Sequence, residues 1–217
     1  QNISYWDVSS GNNFGGMFFG ADLMLSNLGF SSTPTAAEFN KTRITDRSSL
    51  DTAISAWIAD EAAATATYGD INNWDVRAIT DFSSLFKDAT SFNSDISNWD
   101  VSSGTDFEGM FAYATSFDQD LGSWNVSSGT NFYNMFYEAD AFNQDIGSWD
   151  VSSGTVFEGM FEDADAFNKD IGRWNVSSGT DFSWMFSSAW AFNQDIRSWD
   201  VSSSSNFRYM FAYADAF

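Results

Sequence analysis

Along residues 92–116, FNSDISNWDVSSGTDFEGMFAYATS, the apolar positions change rhythm. Trp99 and Val101 flank Asp100, and Ile96 extends their edge, which predicts a short strand with one buried face. Phe107, Met110, Phe111 and Ala114 then fall at i, i+3, i+4 and i+7, the inward stripe of a short helix with Thr105 or Asp106 as its N-cap. Between the two elements, Ser102, Ser103 and Gly104 supply turn chemistry.

The same pattern returns on Trp74, Trp99, Trp124, Trp149, Trp174 and Trp199, always 25 residues apart. A period in the twenties marks units that stack only on their neighbours. One unit buries too little apolar surface to offset the cost of ordering its own chain, so stacking must supply the difference. A helix returning the chain to each new strand makes successive strands parallel and favours a right-handed coil. The expected fold class is therefore α/β: a right-handed solenoid of 25-residue strand-plus-short-helix coils, leucine-rich-repeat-like, with an N-terminal capping helix.

Four segments follow. Residues 6–18, WDVSSGNNFGGMF, repeat the pattern of 99–111, so residues 1–30 read as a terminal partial coil of a preceding array. Residues 31–44, with Pro34, read as a linker. In 45–70, Leu50, Ile54, Trp57 and Ile58 form a helical stripe behind Thr45 or Asp46, and this helix is expected to cover the first coil edge. About six coils fill 71–217. Gln1, Asn2, Ile3 and Trp6 align with Gln194, Asp195, Ile196 and Trp199, while Phe217 aligns with Phe192. This near-phase suggests either a piece of a longer chain of arrays or a protomer whose last coil meets the first coil of the next copy; trimming at a repeat boundary is the plainer alternative.

Composition narrows the chemistry. The 217 residues hold 18% aromatics, 23 of them Phe, which suits ladders of identical side chains. Without Cys or His there is no thiol nucleophile, no His base and no N/S-ligated metal site. A net charge of −21 argues against nucleic acid and anionic lipid as partners. No apolar run is long enough to cross a membrane. Partners expected on these grounds are copies of the chain itself or adjacent arrays, with a protein or polysaccharide as the alternative.

Residues 79–101, ITDFSSLFKDATSFNSDISNWDV, resemble the BspA-like surface-protein repeat, a leucine-rich-repeat relative, and the FNQDI and SWDVSS motifs carry the likeness. Residues 45–76 look like the segment that precedes such arrays. Where that pattern has Val-Thr-Asp-Met, this chain has Gly104-Thr105-Asp106-Phe107 and its copies; Ile79 alone keeps the β-branched residue, and the Phe at the Met position is expected to fill the space. The resemblance implies an extracellular or cell-surface location, a role in adhesion or coat structure, and no enzymatic activity in the repeat.

Three sets of residues are candidate sites. Asp95, Asp120, Asp145, Asp170 and Asp195 form a file at one repeat position, spaced about 4.8 Å if coils stack like strands. Such a file suggests either calcium, which favours carboxylate oxygens, or carboxylates that accept backbone N–H bonds in turns. The sequons at Asn125, Asn175, Asn2 and Asn40 are candidate glycosylation sites. Asn125 lies between Trp124 and Val126 and should point outward, as should its counterparts Asp75, Asp100, Asp150 and Asp200. Tyr113, Tyr133, Tyr137, Trp184, Tyr209 and Tyr213 are expected outside the stripe as a binding surface, or as scattered surface aromatics. Asp95 and Asp100 could serve as a glycosidase acid and base, but the pair recurs in coil after coil, whereas catalysis needs one distinctive environment. No catalytic residue and no cofactor other than calcium is expected.

Overall fold

The computed structural model describes residues 42–217; the partial coil expected over 1–30 and the linker through residue 41 lie outside the described residues. Residues 42–44, expected to end that linker, instead pair with the first unit. The Ile44 N–H donates to the Asp75 carbonyl and the Asp75 N–H to the Thr42 carbonyl, at 3.0 and 2.8 Å, in a parallel bridge. This pairing buries Ile44 and also Asp75, which was expected to face outward. The Arg77 guanidinium lies 2.7 Å from the Asp75 carboxylate and balances its charge.

The helical pattern of 45–70 gives two helices. Helix α1, Arg47–Ala59, starts at Asp46, whose carboxylate accepts from the Ser49 N–H. Extended backbone at Asp60 ends it, and the Asp60 side chain then accepts from the Ala63 N–H to start α2, Glu61–Tyr68. Leu50, Ala53, Ile54 and Trp57 are buried, whereas Ile58 is 47% exposed, so the inward stripe is narrower than its spacing suggested. Trp57 sets its ring edge-on against Trp74 at 5.8 Å and donates its indole N–H to Ser94 Oγ. Helix α1 thus lies over the start of the repeats.

Beyond Trp74 each unit sits on the last. Parallel bridges join Asp81 to Asp106, Asp106 to Asn131, Asn131 to Val156, Val156 to Asp181 and Asp181 to Asn206, each a step of 25 residues. Phe82, Phe107, Phe132, Phe157, Phe182 and Phe207 stack in one column at 5.3–5.8 Å between ring centroids. Columns through Phe86 and Phe92 run beside it, so that neighbouring rings such as Phe161 and Phe167 also stack, at 4.0 Å. The tryptophans form a further column, with pairs such as Trp149 and Trp174 at 6.4 Å and 1° from parallel. Each indole also ties one coil to the one before: Trp99, Trp124, Trp149, Trp174 and Trp199 donate to the carbonyls of Ile71, Ile96, Leu121, Ile146 and Ile171.

The elements within a unit differ from those expected. No helix forms over 107–114, and 96–101 forms no strand, although the predicted side chains at both places are buried. Overlapping turns replace the helix: the N–H groups of Met110, Ala112 and Ala114 donate to the carbonyls of Phe107, Gly109 and Phe111. Gly109 and Tyr113, third in their turns, have φ of 55° and 62°. Because every fourth residue turns left-handed, the chain cannot wind on as a helix, and every second N–H group faces the next unit instead of the residue four back. Phe107, Gly109, Phe111 and Tyr113 accordingly donate to Asn131, Tyr133, Met135 and Tyr137. A stripe at i, i+3, i+4 and i+7 fits both backbones, and the demand for inter-unit bonds selects the turns.

The glycine that replaces Val in each unit leaves room for the Phe three residues on. A Cβ at Gly104, Gly129, Gly154 or Gly179 would stand 2.4–2.6 Å from Cζ of Phe107, Phe132, Phe157 or Phe182. The ring fills the space that the side chain vacates, as expected.

Candidate functional site

Each carboxylate of the Asp file has the turn role. Oδ1 of Asp95, Asp120, Asp145, Asp170 and Asp195 accepts the N–H two residues on, from Ser97, Gly122, Gly147, Gly172 and Arg197, at 2.8–3.1 Å. Asp106, weighed as a helix cap, makes the same bond to Glu108, and Asp100 makes it to Ser102. Three such turns bend the unit, which accounts for the recurrence of Asp and Asn at fixed places. Among the described residues no group of three or more acidic side chains converges closely enough to hold a metal ion. At the far end of the file, side-chain and backbone hydrogen bonds from Arg197 hold the Asp195 carboxyl down to about 2.

Asn125 and Asn175 are exposed, as their alternation required. Their Oδ1 atoms accept from the N–H groups of Ser127 and Ser177, at 3.1 and 3.2 Å, and no protein group among the described residues engages Nδ2, the atom that bears a glycan. Asn2 and Asn40 lie outside the described residues.

The aromatic set divides. Tyr113 and Tyr137 meet edge to face at 5.0 Å and are half-buried, as are Tyr133 and Trp184. Trp184 packs on Tyr209 at 4.4 Å, beneath the Arg208 guanidinium. Of the six, only Tyr209 and Tyr213 are exposed, at 48% and 77%. Four of the six therefore pair across units or sit in partial cover. Trp190, not singled out by spacing, is the most exposed tryptophan among the described residues at 59%, in a column otherwise occupied by Thr90, Thr115, Asp140, Asp165 and Asp215.

Acidic side chains crowd the turns beside these tyrosines. Burial, then the neighbouring Asp163, Glu158 and Glu138 carboxylates, pushes Glu162 up to about 7. Burial also raises Asp140, with Asp165 as the next cause, and Glu158, with Asp181 as the next. The Tyr137 hydroxyl is raised by burial and by its bond with Glu138.

A ladder that spacing did not reveal explains the FNQDI motif. Oδ1 of Asn93, Asp118, Asn143 and Asn168 accepts the N–H of Asp118, Asn143, Asn168 and Asn193 in the next unit. The Gln119, Gln144 and Gln194 amides add bonds to the same column, on Asn93, Asp118 and Asn168. Its only signal in the sequence is the recurrence of an Asn or Asp followed by Gln at a fixed distance from each Trp.

The concavities are open and polar. One, of about 460 Å³, lies between α2 and the first units and is walled by Glu61, Thr65, Asp70, Asn72 and Asp95. Asn72 spans it with a hydrogen bond to Asp95 at 2.7 Å. No described helix is long and apolar enough to cross a membrane.

Stacked rings, indole ties and bridges at every 25th residue define a tandem-repeat protein. The chain belongs to the family described as "Mycoplasma protein of unknown function, DUF285", whose model matches residues 1–64, 52–168 and 149–217. No curated protein and no solved structure matches it.

Proposed function

We propose that this is a structural repeat protein of an extracellular or cell-surface layer or filament, wound as a right-handed solenoid and joined end to end through its coils, without enzymatic activity. The observation that carries this reading is the continuity of the ring columns from Phe82 through Phe207 and from Phe92 through Phe217. The aromatic content serves axial stacking, and the polar groups of the turns bond their own backbone or the next unit. The likeness of FNQDI and SWDVSS to BspA-like repeats supports the surface location, and so do the outward Asn125 and Asn175 sequons.

Electron microscopy of native material tests the reading. Ordered filaments or sheets whose axial repeat matches the length of this array support it, and dispersed monomers sink it. An intact mass equal to that of the bare sequence would remove glycosylation at Asn125 and Asn175.

A second reading, an adhesin-like module for a protein or polysaccharide, is favoured by one observation, the exposed Trp190 near acidic turns. Monomers that bind a ligand through that face, and lose it in Trp190→Ala, would support this reading instead.

A further inference from the structure

The ladder through Asn93, Asp118, Asn143 and Asn168 has an open first rung. In each later unit the backbone N–H at this place donates to the side-chain oxygen of the unit before it. The residue one period before Asn93 is Tyr68, the last of α2, which has no side-chain amide or carboxylate to offer. The Asn93 N–H accordingly has no acceptor among the described residues. This open donor lies where the two helices meet the array.

Asn93 borders two adjoining hollows. One is the concavity of about 460 Å³ between α2 and the first units; the other, of about 140 Å³, is lined by Ile58, Ser91 and Phe92, and Trp57, Glu61, Asn93 and Ser94 line both. Their walls differ in chemistry. In the smaller hollow stands Ile58, the one large apolar side chain of α1 that is exposed. The larger offers oxygens: the Glu61 carboxylate has no partner among the described residues, and Asp70 and Asp95 keep lone pairs to spare after bonding Asn72.

Three carboxylates disfavour an anion here. A ligand that fits must present a neutral acceptor to the Asn93 N–H, a small apolar group beside it for Ile58, and several hydroxyl donors for the acidic wall. An acetamido group on a sugar supplies the first two, and the hydroxyls of the ring supply the third. We infer that the two hollows form a binding site for an N-acetylated amino sugar. The acetamido carbonyl takes the place of the missing rung on Asn93, its methyl group lies on Ile58, and ring hydroxyls donate to Glu61, Asp70 and Asp95. A peptide carbonyl would satisfy Asn93 and leave the carboxylates without donors; a lysine side chain would do the reverse. The site lies apart from Trp190 in the sequence of units and needs no second copy, so its failure would leave both readings above standing.

The full chain is titrated in a calorimeter with tri-N-acetylchitotriose, its deacetylated form and cellotriose, which carry acetamido, ammonium and hydroxyl groups at the same carbon. The acetylated trimer is expected to bind saturably, and cellotriose to bind weaker by roughly tenfold or more, because it lacks both the carbonyl and the methyl group. Thr65 and Ile58 are exposed helix positions, so the array should melt unchanged in Thr65→Trp, which fills the larger hollow, and in Ile58→Asp, which removes the apolar wall. Each variant should weaken the acetylated trimer by roughly tenfold, whereas Trp190→Ala should leave it unchanged. Absence of saturable binding, equal binding of cellotriose, or full binding in either pocket variant would overturn the site. Tighter binding of the deacetylated trimer would also overturn it, by showing that the acidic wall takes ammonium groups instead.

Discussion

The Cβ that Gly154 lacks would lie 2.5 Å from Cζ of Phe157, inside any real van der Waals contact. Each of these two residues therefore specifies the other. Gly154→Val is expected to destabilise the protein by about 1–3 kcal/mol through overpacking. Gly154→Val with Phe157→Met, the pairing of the BspA-like pattern, should recover most of that loss. Urea unfolding checks both, and a double variant no better than the single one would mean that the ring and the glycine are not coupled.

Trp149 joins two units in two ways, by its ring on Trp174 and by its N–H on the Leu121 carbonyl. Phe at this place keeps a ring but loses the bond. Because the Leu121 carbonyl also accepts from the Trp124 N–H, the loss should be about 0.5–1.5 kcal/mol. Trp149→Ala should cost about 3–5 kcal/mol, since a cavity is added. Chemical denaturation separates the two.

Glu162 is held up to about 7 by burial and by surrounding carboxylates, so the folded chain keeps its proton where the unfolded chain, at an ordinary value of 4.5, releases it. Over that window the folded state binds more protons, and stability must fall as pH rises from about 4.5 to about 7. The melting temperature is expected to drop across this range in the wild type and to change less in Glu162→Gln, which should also be the more stable of the two above pH 7. Calorimetry against pH reads the slope directly. An equal slope in both chains would place the titration elsewhere.

Arg47 closes the carbonyl end of the array with one forked side chain. Its loss in Arg47→Ala should cost about 1–2 kcal/mol, and Arg47→Lys should recover little, because an ammonium cannot span the Asp81 and Ser83 carbonyls and Asp51 together. Hydrogen exchange should localise the weakening to α1 and the first unit. Uniform weakening would argue against a terminal role.

The Asp file satisfies its carboxylates with backbone N–H groups. Removal of divalent ions with EDTA, then addition of calcium, should therefore leave the melting temperature unchanged. A clear upward shift with calcium would restore the cation to the account.

The period and most of the buried residues were legible before the structure, although Ile58 and Asp75 were not. Stacked units place like on like, so any inward residue must recur at the repeat distance, and Trp99, Phe107 and Phe111 do. The Gly104 and Phe107 exchange was legible for the same reason: a volume lost at one place in the core has to be filled from another. The FNQDI ladder was not, because its bonds run from one unit to the next and leave no apolar rhythm inside either.

Backbone conformation was decided elsewhere. Phe107, Met110, Phe111 and Ala114 point inward from a helix or from overlapping turns, so their spacing leaves the two undecided. What selects the turns is whether the N–H groups of Phe107 and Phe111 are satisfied within the unit or by the Asn131 and Met135 carbonyls of the next. Burial of side chains is written residue by residue along a chain. Hydrogen bonding between coils depends on a neighbour 25 residues away, and it comes into being only when both coils are in place.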